Sequence, residues 1–418
     1  MLTVKDLNNL AGKRVFVRVD FNVPHKGEVI SDDNRIRAAI PTIAELLKKG
    51  ARVVLLSHLG KVDWKKLKKG EKTQEEIDSQ MKKNDLAIAV KPLKAHLASA
   101  LGQEVKVSFS KENRGESLKE AVDALQDGEV LLVQNTRYQP GEEKNDPELS
   151  KEWASLADVF VMDAFGSAHR AHASTFGIPE ALKVENKPVA IGYLVEKEVT
   201  ALTRCVDVKE EDRPYVAILG GLKVTDKIQV IDTLLKKCDY IIIGGAMSYT
   251  FRKALGCEIG NSFLDEGALD YAKKCLDEAQ GRIILPVDSV ITDSFEPTET
   301  RKINVASDEI PAGFEGVDIG DKSVELFKSI IAKAKMVFWN GPMGVFEQEE
   351  FQSGTKAICE AIRELDGKAF TVCGGGDSAA AVKQFGYIKD FSHVSTGGGA
   401  SLEMIQNDGH LPGIDIIK

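Results

Sequence analysis

Apolar runs along this chain stop abruptly, and the residues after each stop differ between its two halves. In the first half the runs end in "RVDFN", "SHLGK", "QNTRY" and "DAFGSAHRAH". Asp20, Asn22, His58, Arg137, His169 and Arg170 therefore sit in or beside these loops, with Arg35 a little beyond the first. In the second half the runs end in "GGLKVTDK", "GGAMSYT", "NGPMG", "GGGDS" and "TGGGAS", where glycine is joined by lysine, aspartate and serine. Guanidinium matches carboxylate and phosphate through paired hydrogen bonds, so the arginines and histidines suit a small phosphorylated carboxylate. Any one of them alone serves equally well in a structural salt bridge. Glycine loops let backbone amides approach phosphate, and the N-terminus of a following helix adds positive potential.

Lys223 and Lys227 stand four apart after a Gly-Gly, at the start of an expected helix. Residues at that spacing share a helix face, which would aim both ammonium groups at one anion. Asp377 follows the glycines of "GGGDS" and would repel phosphate unless a cation lay between, as Mg²⁺ does when it binds one carboxylate and substrate phosphates. Asp377 capping its own helix is the alternative, with Ser378 as a second capping or phosphate-facing hydroxyl. "GGGDSA" formally fits the dinucleotide pattern G-x-G-x-x-A, yet the acid required about 20 residues on is missing from "VSTGGG". No Walker A signature, Ser-His-Asp spacing, paired catalytic carboxylates or H-E-x-x-H motif is present. What remains is an enzyme that positions and neutralises charge, the profile of direct phosphoryl transfer.

The elements that position these residues are short, β-branched and continuously apolar: "RVFVRVD", "RVVLLSH", "EVLLVQN", "DVFVMDA", "YVAILGG", "YIIIGGA", "RIILPVD", "MVFWNG", "FTVCGGG" and "HVSTGGG". Continuous apolarity marks strands buried on both faces of a parallel sheet, and the helical stretches between them indicate βαβ units. The expected fold is α/β: two doubly wound, parallel-sheet (Rossmann-like) domains facing each other across a cleft. Ligands in such sheets bind beyond the carboxyl ends of the strands. The first domain is expected over 1–186, a helical connector and hinge over 187–214, and the second domain over 215–404. The lysine-rich stretch 61–85 has almost no apolar period and reads as a solvated insertion whose charges nearly cancel, rather than an anion or partner patch.

The 418 residues suffice for two or three domains, and 43% hydrophobic with 28% charged residues describes a globular chain. A net charge of −9 argues against nucleic-acid binding. No apolar run approaches the roughly 18 residues of a membrane span, and no signal core opens the chain. Six cysteines with no CxxC pair read as reduced, buried thiols of a cytoplasmic protein.

Taken together and in order, "RVDFNVP", "SHLGK", "DAFGSAHRAHAST", "ILGGLKVTDKI", "NGPMGVFE", "GGGDSAAAV" and "VSTGGGASLE" resemble phosphoglycerate kinase from end to end. The resemblance implies reversible phosphoryl transfer between 1,3-bisphosphoglycerate and ADP, giving 3-phosphoglycerate and ATP, by a monomer with Mg²⁺. It implies that Asp20, Phe21, Asn22, Arg35, His58, Leu59, Gly60, Lys61, Arg137, His169 and Arg170 bind the glycerate. Gly221, Lys223, Lys227, Gly245, Gly316, Val317, Asn340, Pro342, Glu347, Gly375, Gly376, Asp377 and Ser378 would bind the nucleotide, with Asp377 on the metal. Arg35, Lys223, Gly376 and Gly399 would hold the group in flight, and the tail 405–418 would return to the first domain. Lys61 stands where the family usually has Arg, Val62 where it has Pro, Gln134 where it has Glu, and Leu222 where a small residue is common. These departures bear on substrate affinity, not on the reaction. The rival readings are an NAD-linked dehydrogenase and a nucleotide-dependent binding module without turnover.

Overall fold

The computed structural model describes residues 1–296, 303–306 and 308–418. It divides into two compact units, Met1–Val199 with His410–Lys418, and Thr200–Gly409. In the first unit β1 (Arg14–Val19), β2 (Arg52–Leu56), β3 (Val107–Ser110), β4 (Val130–Val133), β5 (Val159–Asp163) and β6 (Val189–Ile191) form one parallel sheet. Their order is β3-β4-β2-β1-β5-β6. β1 has β2 on one side and β5 on the other, so the chain changes direction there and opens a crevice beyond the strand ends. Val15, Val17 and Val19 share one core with Ile36, Ile40, Ile43 and Leu47 of helix α1 (Asn34–Lys48). Those helix positions recur every three or four residues, which puts them on one face, and each such burial contributes about 1.5–3 kcal/mol.

In the second unit the parallel sheet uses β7 (Tyr215–Leu219), β8 (Tyr240–Ile243), β9 (Ile283–Ile284), β13 (Met336–Asn340), β14 (Phe370–Cys373) and β15 (His393–Val394). The order is β9-β8-β7-β13-β14-β15. Every continuously apolar run of the sequence is thus a strand of one sheet or the other. An antiparallel sheet of β10 (Asp288–Thr292), β11 (Ile303–Ala306) and β12 (Glu315–Ile319) has no such signal in the sequence. Its strands mix polar and apolar residues and so lack the continuous apolar signature. β3 and β6 are weakly marked for related reasons, the first half-polar at a sheet edge and the second very short.

Helix α2 (Tyr193–Val206) continues across the division between the units. Its first amides are satisfied by the first unit, with Leu194 N donating to Asp163 Oδ1 at 3.1 Å and Tyr193 N to Thr42 Oγ1 at 2.9 Å. Val189–Ile191, placed in the connector on sequence grounds, pairs with β5 instead. The returning tail begins at His410 rather than residue 405, because Ile405 and Gln406 close a helix of the second unit. Gly413 N then donates to Ala168 O at 2.8 Å. All six cysteines are free, five of them buried. No helix among the described residues is long and apolar enough to cross a membrane.

Candidate active-site pockets

In the first unit, the loops after β2, β4 and β5 carry expected cations, the loop after β1 carries Asp20 and Asn22, and Arg35 stands in the first turn of α1. A cavity of about 490 Å³ is lined by Lys61, Val62, Asp63, Trp64, Lys65, Arg137, Glu143, Arg170, Ala171 and His172. Lys61, Arg137 and Arg170 were expected there. The other polar residues were not. Asp20 accepts from Arg35 Nη1 at 2.7 Å, Asn22 Oδ1 accepts from Gly60 N at 2.8 Å, and Arg137 Nη1 donates to Gly60 O at 2.7 Å. These bonds join the β1, β2 and β4 loops into one framework. Arg170 Nε donates to His169 Nε2 at 3.2 Å. Phe21 and Leu59 belong to the hydrophobic core, so their side chains hold the loops down rather than face a ligand.

Beneath this framework runs a buried polar chain with no local sequence signature. Arg18, on β1 and 1% exposed, donates from Nε to Ser174 Oγ at 2.8 Å and approaches His58 Nδ1 from Nη2 at 2.9 Å. Ser174 Oγ in turn donates to Glu142 Oε2 at 2.7 Å, and Ser174 N donates to Glu142 Oε1 at 2.8 Å. The carboxylate thus offsets a guanidinium that burial alone would penalise heavily. Burial, with Arg18, Arg137 and Arg35 nearby, holds His58 well below its ordinary pKa. Burial also pushes His172 down to about 4, with Arg18, Arg137 and Arg170 adding to the shift against the pull of Glu142. Both rings are therefore neutral at pH 7.

In the second unit a cavity of about 220 Å³ opens beyond β7, β8 and β13. Gly221, Gly245, Gly316, Val317, Pro342, Glu347 and Asp377, each named above as a nucleotide-binding candidate, line it together with Leu222, Ala246, Tyr249, Met343, Gly344 and Val345. A Cβ at Gly316 would fall 1.9 Å from Tyr249 Oη, so only glycine admits the tyrosine. The walls are apolar, suited to a flat base, while Glu347 and Asp377 supply the charge at the rim.

Lys227 Nζ is hydrogen-bonded to Asn340 Oδ1, and Asn340 Nδ2 donates to Gly374 O at 2.6 Å. Burial lowers Lys227 to a pKa of about 8, opposed by Asp226 and Asp377. Lys223 and Lys227 do not share a helix face. Lys223 lies exposed in the loop, and Thr225–Lys227 form a tight turn before helix α3 (Ile228–Leu235). Thr225 N and Oγ1, both bonded to Asp265 Oδ2, hold that turn at 2.9 and 2.7 Å.

Helix α4 (Gly376–Gln384) starts from Gly375, whose φ of +109° excludes other residues. Asp377 lies in its first turn and makes no capping bond, leaving an exposed carboxylate at the cavity. Ser378 is buried and occupied internally, accepting from Gly341 N at 2.7 Å and donating to Gly374 O at 3.2 Å. The start of helix α5 (Gly398–Gln406), which includes Gly399, adjoins that of α4. A Cβ on Gly398 would lie 3.5 Å from Gly376 N. Two helix N-termini thus converge, a favourable place for anionic oxygens.

The phosphoglycerate kinase family model matches residues 4–408. Phosphoglycerate kinases of Latilactobacillus sakei and Fervidobacterium nodosum are 47% and 49% identical, covering 100% and 99% of this chain and 98% and 97% of theirs. That of Staphylococcus saprophyticus is 50% identical over 98% of this chain and 97% of its own. Among solved structures, the phosphoglycerate kinase from Coxiella burnetii superposes with a TM-score of 0.83 at 34% identity, covering 100% of this chain and 98% of its own. The enzyme from Pyrococcus horikoshii OT3 does so with 0.81 at 31%, with the same coverage. The chain belongs to the phosphoglycerate kinase family.

Proposed function

We propose that the cationic cavity of the first unit seats the phosphoglycerate and the glycine-walled cavity of the second seats the adenine nucleotide. As a phosphoglycerate kinase the protein transfers a phosphoryl group reversibly between 1,3-bisphosphoglycerate and ADP, giving 3-phosphoglycerate and ATP. The observation that carries the assignment is the contrast between the pockets. Lys61, Lys65, Arg137 and Arg170 line one, while the other has apolar walls, glycine loops and converging helix starts nearby.

In this reading the bond between phosphorus and the acyl oxygen breaks as a β-phosphate oxygen of ADP attacks in line, without a covalent enzyme intermediate. Arg35, Lys223 and the amides near Gly376 and Gly399 hold the equatorial charge. The two units close on one another about helix α2 to align the oxygens and exclude water. Asp377, exposed at the nucleotide cavity and free of capping duty, fits as the protein ligand of a phosphate-bound Mg²⁺. When bound, Mg²⁺ neutralises nucleotide charge. Lys227, anchored by Asn340, holds a phosphate oxygen. The protein acts as a cytoplasmic monomer, which light scattering on the purified 45.6 kDa chain tests directly.

The decisive experiment supplies ATP, Mg²⁺ and 3-phosphoglycerate and reads acyl phosphate formation through a coupled reductive step. Turnover that requires all three components supports the assignment. Nucleotide binding without turnover sinks it.

A further inference from the structure

The lysine-rich segment between Lys61 and Asp85 is not a loose insertion. It forms two helices, Trp64–Lys68 and Gln74–Lys83, the second opened by a reciprocal Thr73–Glu76 cap and anchored by the buried Ile77. Its ends are fastened to the loops that carry the substrate cations. Trp64 Nε1 donates to Arg137 O at 2.8 Å, and Asn84 Nδ2 donates to Lys61 O at 3.0 Å. Asn135 Nδ2 donates to Asn84 O at 3.0 Å, and the Tyr138 hydroxyl donates to Met81 O. Bonds at both ends hold the segment in place, and its first five residues, Lys61 to Lys65, line the first unit's cavity.

That wall presents Lys61 and Lys65 beside Arg137 and Arg170. Two acids line the same cavity, Asp63 and Glu143. Asp63 is already engaged, with Oδ2 at 3.0 Å from Lys72 Nζ and 2.8 Å from Gln80 Nε2. Lys65 has no ion-pair partner among the described residues. A lone ammonium at Lys61 offers a phosphate one point of attraction where a guanidinium offers a fork. A second ammonium on the same wall restores two-point neutralisation of a dianion.

We propose that Lys65 is a substrate-binding residue that, with Lys61, neutralises the phosphate end of the phosphorylated carboxylate. The start of the segment, Lys61 to Lys65, is thereby a specificity-determining wall, and the rest of it, to Asp85, braces that wall. This rests on the pocket assignment above, and the test separates the two. Lys65→Ala, Lys65→Arg and the control Lys66→Ala are compared with wild type for ATP-dependent turnover of 3-phosphoglycerate. Lys65→Ala raises KM for 3-phosphoglycerate by about three- to tenfold, the scale of one partly exposed charge contact, while kcat and KM for ATP stay within about twofold. Lys65→Arg retains the wild-type KM, Lys66→Ala is silent, and added salt narrows the gap between Lys65→Ala and wild type. A Lys65→Ala enzyme with the KM of Lys66→Ala, or one that loses kcat instead, overturns the role of Lys65 alone. Absence of turnover in the wild type overturns the pocket assignment and this role with it.

Discussion

Arg18 Nη2 lies 2.9 Å from His58 Nδ1, inside the first unit and almost out of contact with solvent. A guanidinium has only donors, so Nδ1 must be the acceptor and the ring proton must sit on Nε2. Burial and the cations around the ring disfavour the imidazolium, which leaves His58 a neutral donor with one tautomer. Nitrogen-15 shifts of the wild-type protein at pH 7 should therefore report the Nε2–H form. A doubly protonated ring or the Nδ1–H tautomer would falsify this assignment.

Charge at the transfer centre is the second prediction. Lys223→Ala and Arg35→Ala should each lower kcat by about 10²-fold or more while leaving the far-ultraviolet circular dichroism unchanged. Near-normal turnover in either variant removes that residue from the transfer centre.

Lys227 makes nucleotide affinity depend on pH. Its pKa of about 8 in the free protein means that the ammonium is present below pH 8 and is progressively lost above it. An anionic nucleotide needs the charged form, so binding above pH 8 must take up a proton. Affinity for ADP should fall by up to about tenfold per pH unit there. Calorimetric titrations between pH 7 and 9.5 read this slope. Lys227→Met should weaken binding and flatten it.

Two buried groups give opposite pH dependences of stability. His172 has a folded pKa of about 4, below its unfolded value, so its contribution is complete above about 6.5 and is lost as pH falls toward 4. Asp163 is raised to about 7, chiefly by burial, so its contribution is complete below about 3.8 and is lost as pH rises toward 7. Each slope approaches about 1.4 kcal/mol per pH unit, and they oppose one another in wild type. Urea unfolding of His172→Gln and Asp163→Asn against pH should separate them. Parallel profiles for all three proteins would contradict both assignments.

Gly375 is the backbone prediction. At φ +109° a side chain is strained, and an added Cβ would lie 2.3 Å from Asn340 Nδ2. Gly375→Ala should cost about 1–3 kcal/mol and disturb the Asn340 contact that orients Lys227. Thermal melts read the first effect and ADP binding the second. Wild-type values for both would mean that the turn tolerates a side chain.

Much of this protein could be read without coordinates. Continuous apolar runs had to become doubly buried strands, and the glycine, lysine and arginine punctuation after them marked the ligand ends. Ordered motifs from Asp20 to Gly399 were enough to indicate the family. Those signals are local, set by residues a few positions apart, and so they survive in one dimension.

Tertiary structure alone decided the rest. Arg18 looks like one polar residue in a strand until Ser174, 156 positions away, and Glu142 close upon it. Lys223 and Lys227 have helical spacing, yet Asp265 pins a turn that separates them. Ser378 is placed in sequence as if for phosphate, but Gly341 and Gly374 engage its hydroxyl. The charged stretch 61–85 lacks an apolar period, and only long-range bonds to Arg137, Asn135 and Tyr138 fix it beside the cavity that its first residues line. In each case a polar side chain's role depends on which distant group satisfies it. A buried donor or acceptor must find a partner, and folding, not spacing along the chain, determines which partner is within reach.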